Sequence, residues 1–177
     1  MRHHLAALAA VTIFATVAVQ AETPAPTAAQ PAVAAADTKM AAAQKTLNSS
    51  SGSVSKDPAL KPLADAVYAA RTKLEIALKR VDTEFVDIHA KFVEARDAHK
   101  ADKANEALKK AYYAAQDAMV ADLAKRAKGN DKVKAQYDAW IAATAAVEDK
   151  TLELLKAKNP TKAALYEEAL MVVRAER

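Results

Sequence analysis

Two histidines, His89 and His99, offer the first test of what chemistry this chain could carry. Ten residues of α-helix turn through about 1000°, so the two point to different faces and cannot ligate one metal within a straight helix. Di-iron bundles use Glu-x-x-His, but Val86 and Arg96 stand three positions before these histidines. Ser53-Val54-Ser55-Lys56 has the Ser-x-x-Lys spacing of serine acyl enzymes. It lies in a Ser-rich stretch without the rest of that constellation and reads as coincidence. Phosphate-cradling loops need glycines, and the chain has 2, far apart.

Acidic residues fall at helical surface spacing opposite basic ones: Glu75/Lys79, Asp87/Lys91, Glu106/Lys110 and Asp122/Arg126. These are supports of solvated helix faces, each contributing a few tenths of a kcal/mol, rather than paired acid/base carboxylates. Tyr112-Tyr113, Tyr137 and Trp140 could line a pocket, yet their helical spacing is that of a core. The residues therefore assign no catalytic, cofactor-binding or metal-ligating role. The expectation is a protein that is not an enzyme and has no cofactor.

Charge adds a further exclusion. The formal net charge is +4, and the isoelectric point is near 9.2. The two signs alternate, however, and no unbroken basic stripe with neighbouring aromatic residues appears, so nucleic acid is not an expected partner.

The elements that must position these residues are helices. About a quarter of the chain is alanine, the best helix former. From 62 to 128 there is no glycine and, after Pro62, no proline. Val67, Leu74, Leu78, Val81, Phe85, Ile88, Phe92 and Ala95 follow three-four steps, the stripe of a helix packed lengthwise on another. A second seam runs out of phase through Leu108, Tyr112, Ala115, Met119 and Leu123. Either one helix spans the polar segment 97–102 or the chain turns there, and packing favours the turn. Gly129 ends that helix; Val133, Tyr137, Trp140, Thr144, Val147 and Leu154 line the next; Asn159-Pro160 opens a last one lined by Leu165, Ala169 and Val172.

Folding back at Gly129 and near residue 100 would stack Val81/Met119/Trp140, Phe85/Ala115/Thr144 and Ile88/Tyr112/Val147 as layers. The expected fold is all-α: an antiparallel bundle of three long coiled-coil-like helices (58–97, 103–128, 131–158) plus a short C-terminal helix (160–176).

Two segments precede this bundle. Residues 1–21 read as a signal peptide: Met1-Arg2-His3-His4, an apolar run Leu5–Val19, then Val19-Gln20-Ala21 before the cut. The run, about 15 residues, is short of the roughly 20 that span a bilayer. No transmembrane segment is expected after cleavage. Residues 22–57 read as a disordered Ala/Pro/Ser-rich linker holding at most a short helix, 38–47. The chain has no cysteine, so an exported form must be held together by helix packing.

The function these features suggest is that of an exported, non-enzymatic protein of the bacterial cell envelope, periplasmic or secreted. It would act through helix-mediated contact with a protein partner or as a homo-oligomer, in association with the envelope surface. Val86 and Val93, seven apart on the flank of the first seam, are the candidate contact residues. The alternatives are a periplasmic holdase-type chaperone or stress protein that binds unfolded clients and, lower, a small-ligand-binding bundle.

Overall fold

A computed structural model describes residues 30–177, with side chains from Thr38 onward. The signal-peptide reading of 1–21 and the start of the expected linker, 22–29, lie outside the described residues. Every regular element described is helical: α1 (Gln30–Ser51), α2 (Lys61–Lys79), α3 (Thr83–Ala101), α4 (Glu106–Ala127), α5 (Lys134–Lys158) and α6 (Pro160–Ala175). No helix among the described residues is long and apolar enough to cross a membrane. These residues form two compact units, one from 30–61 with 146–177 and the other from 62–145.

The first unit corrects the linker. Residues 30–51 are one helix that packs on α6. Pro31 is tolerated in a first turn, and the alanines that follow favour helix. Ala43 and Leu47 of α1 join Leu155, Ala163, Tyr166, Ala169, Leu170 and Val173 in one core, with Met40 packed against it. The serines that suggested a break instead finish the helix. Ser49 Oγ donates to the Thr46 carbonyl at 3.1 Å, Ser51 Oγ to Asn48 at 3.2 Å, and Ser55 Oγ to Gly52 at 3.0 Å. Each hydroxyl thus bonds the carbonyl three residues back, a local contact that serine can make without breaking the helix. Val54, in the middle of that serine run, is buried.

Asp57 then accepts from the Ala59 N–H at 3.1 Å and from Lys158 Nζ at 2.7 Å, which fixes a short 3-10 turn, Pro58–Leu60. Lys158 first, and the Ala59 amide second, hold the Asp57 carboxyl below the usual carboxylate range. On α6 the buried stripe is Ala163, Tyr166, Ala169, Leu170 and Val173. Leu165, expected in the core, is half exposed, and Val172 is only partly buried.

In the second unit the expected single helix 58–97 is two. Asp82 is extended (φ −137°, ψ 104°), and its carboxylate accepts from the Phe85 N–H at 3.1 Å as the N-cap of α3. Arg126, on α4, holds that cap in place. Its guanidinium reaches both Asp82 oxygens at 3.0 and 3.1 Å, Glu84 at 2.9 Å and Asp122 at 2.6 Å. Val81, expected in the core, falls in this turn and is 41% exposed. The layer that set it against Met119 and Trp140 therefore does not form.

The chain turns again at Asp102–Asn105, where Asn105 caps α4 by accepting from the N–H groups of Ala107 and Leu108. α3 packs on α4. Leu74, Leu78, Phe85, Met119, Leu123, Val133, Trp140 and Thr144 are all buried to within 2%. Gly129, with φ +76°, supplies the left-handed residue that ends the α4 region. α5 contributes its first part to this unit and its second part to the other.

Candidate functional site

The apolar seam of the second unit gives way, toward the C-terminal end of α3, to a layer of rings and charges. α2 supplies Arg71 and Glu75, four residues apart. α3 supplies Phe85, His89, Phe92, Arg96 and His99 at steps of four, three, four and three, so all five share one face. α4 supplies Tyr112 and Tyr113. The rings run in sequence: Phe85 to His89 at 6.2 Å between centroids, His89 to Phe92 at 6.0 Å, Phe92 to Tyr112 at 6.0 Å, and Tyr112 to His99 at 5.5 Å. His99, in the polar segment 97–102 where a turn was expected, stacks on Tyr112 with an interplanar angle of 20°. Its Nδ1 is buried without a hydrogen-bond partner.

Glu75 does not form the expected surface pair with Lys79. Its side chain is 12% exposed; one oxygen lies 3.1 Å from Arg71 Nε and the other 3.7 Å from His89 Nε2. The first contact is an ion pair rather than an aligned hydrogen bond, and 3.7 Å is too long for one. Burial pushes the Glu75 carboxyl up, against the pull of Arg71 and Lys79. Burial, followed by Lys79 and Arg96, pushes the His89 imidazole down. Both groups are thus biased toward their neutral forms.

Against the expectation of different faces, the two histidines stand only about 80° apart around α3, and they share this layer through the rings between them. Among the described residues no group of three or more His, Cys, Asp or Glu side chains converges as metal ligands. Val86 and Val93 lie on α3 beside this layer; Val86 is 42% exposed and Val93 half-buried. Tyr68 and Ile76 of α2 and Tyr113 of α4 are exposed as well. Arg71 lies over the Tyr68 ring, 5.5 Å from its centroid. Tyr137 and Trp140, the other aromatic candidates, meet edge-on at 6.2 Å, with Trp140 buried. Sequence reasoning missed Arg71, Glu75 and Arg96. The signal was present, because Arg96 and both histidines keep the period of Phe85 and Phe92.

A second polar cluster lies in the other unit. Glu148, 6% exposed, accepts from Arg174 Nε at 3.1 Å and from both terminal nitrogens of Arg177. Tyr166, buried near Glu148, has its hydroxyl pushed up to about 12, chiefly by burial and then by that carboxylate. Of the other expected pairs, Asp122 meets Arg126, whereas Glu106 meets Lys109 at 3.1 Å. Comparison with protein-family models, curated proteins and solved structures finds no match to this chain.

Proposed function

We propose that this is an exported, non-enzymatic helical protein of the bacterial cell envelope that works through helix-to-helix contact with a protein partner or a second copy of itself. One observation carries the reading: α2, α3 and α4 leave apolar side chains in water, among them Tyr68, Ile76, Val86 and Tyr113. Isolated apolar residues on a surface are ordinary. Here they border a half-buried ring layer, and an apolar surface of that kind is a natural contact site. The arrangement we read for this unit is an antiparallel bundle of α2, α3, α4 and the start of α5, preceded in the precursor by a signal peptide.

Two measurements test the proposal. Sedimentation of wild type against Val86→Glu/Val93→Glu is expected to show association, or capture of an envelope component, in the wild type alone. Circular dichroism should show that both remain helical. Folded monomers with equal binding would remove this face from consideration. Separately, intact mass of exported protein is expected to start at Glu22. A species that keeps 5–19 in a membrane fraction would mean that the apolar run is an anchor.

A holdase-type chaperone is the second reading. It is favoured by the half-buried rings Phe92 and Tyr112, which local opening would offer to an unfolded client.

A further inference from the structure

We propose that the layer around Glu75 and His89 is a proton-responsive joint between α2 and α3, closed while the imidazole is neutral and loosened when it takes up a proton in mild acid. The inference concerns the 62–145 unit alone and holds whatever partner the protein meets.

The imidazole is flanked by phenyl rings and lies beyond hydrogen-bond reach of the one carboxylate beside it. His89 sits between Phe85 and Phe92, and its Nε2 stops 3.7 Å short of Glu75. The other Glu75 oxygen faces Arg71, whose Nε is 3.1 Å away. A proton on His89 would therefore add a cation where cations already outnumber anions. From α2 the groups in reach are Arg71, Glu75 and Lys79. From α3 there is Arg96, itself paired with Asp97 at 3.0 Å. From α4 the ring packed against Phe92 is Tyr112, a neutral phenol whose own ionisation burial pushes still higher. The competing possibility is that imidazolium closes the short gap to Glu75 and gains a salt bridge. The geometry favours the first, because Phe85 and Phe92 flank the imidazole and Arg71 already stands closer to the carboxylate than His89 does; burial, Lys79 and Arg96 act in the same direction.

The linkage follows from that sign. A histidine with a folded pKa below its unfolded value of about 6.5 binds its proton more readily in the unfolded chain. Stability is then full above about pH 6.5 and falls as pH drops through it toward the folded value. Glu75 is raised on folding, so its contribution has the opposite sign and sets in at lower pH. The loss should accordingly level off as pH approaches the carboxylate range. For one proton the unfolding equilibrium constant can rise by at most about tenfold per pH unit.

The experiment is denaturant unfolding of the full chain between pH 7.5 and 5, followed by fluorescence of Trp140, the only tryptophan and a buried residue of this unit. Wild type, His89→Phe and Glu75→Gln are compared, with an NMR titration of the imidazole protons alongside. The wild-type constant is expected to rise as pH falls through 6.5. His89→Phe, which keeps a flat ring, should remove that rise, and Glu75→Gln should keep it while abolishing the levelling. A His89→Phe slope equal to wild type, or a His89 imidazole that titrates at or above about 6.5, would overturn the proposal. Should His89→Phe not fold, the titration of wild-type His89 decides the matter alone.

Discussion

Trp140→Ala is expected to destabilise the 62–145 unit by about 3 to 5 kcal/mol, the range for deleting a large buried aromatic side chain. Trp140 is 2% exposed and meets the Tyr137 ring edge-on at 6.2 Å, and Met119, Leu123 and Thr144 of the same unit are fully buried. Thr144, on the same helix, is buried with its hydroxyl satisfied, donating back to the Trp140 carbonyl at 2.9 Å. Alanine-rich helices can close only part of the cavity, since their small side chains have little reach into it. Urea unfolding read by circular dichroism suits the comparison, as the variant has no tryptophan left. A loss below about 1 kcal/mol, or water-like emission from wild-type Trp140, would place the indole at the surface.

Glu148→Ala is expected to be nearly as damaging, at roughly 3 kcal/mol, through a different cause. The side chains of Glu148 and Arg177 are 8% and 9% exposed. Removing the carboxylate leaves a buried guanidinium without its counter-charge, which costs more than the pair contributes when intact. Arg174, at 37% exposed, bonds Asp149 at 2.7 Å as well, so it keeps a partner and water. Arg174→Ala should therefore cost less than about 1 kcal/mol. Equal losses from the two variants would show that depth of burial does not govern this cluster.

Burial in this chain was legible wherever a local period decided it. Leu74, Leu78, Met119, Leu123, Trp140 and Thr144 keep helical steps of three and four, and all are buried. What a period cannot report is a partner far along the chain. The turn at Asp82 sits in an apolar repeat that runs on past it, and the arginine that holds it stands 44 residues away. The serines at and just beyond the end of α1 read as breakers by composition, yet their hydroxyls bond carbonyls three residues back. On α6 the small Ala163 and amphipathic Tyr166 occupy the buried stripe, while the more obviously apolar Leu165 faces out. The ring-and-charge layer was hidden for a related reason. His89, Arg96 and His99 occupy seam positions, and a reading that counts only apolar residues moves the seam to Ile88 and Ala95 instead.

The division of the chain bears on how it assembles. The unit made from 62–145 is contiguous, so its contacts close over short loops and it can form as soon as that stretch is available. The other unit joins α1 to α6 across more than a hundred intervening residues. α1 therefore emerges early, keeps Met40, Ala43 and Leu47 without their partners, and completes its core only when the last helix arrives. Until then its apolar face is the part of the nascent chain most open to wrong pairing. Loss of α6, by truncation or a late frameshift, would strand α1 while sparing the 62–145 unit.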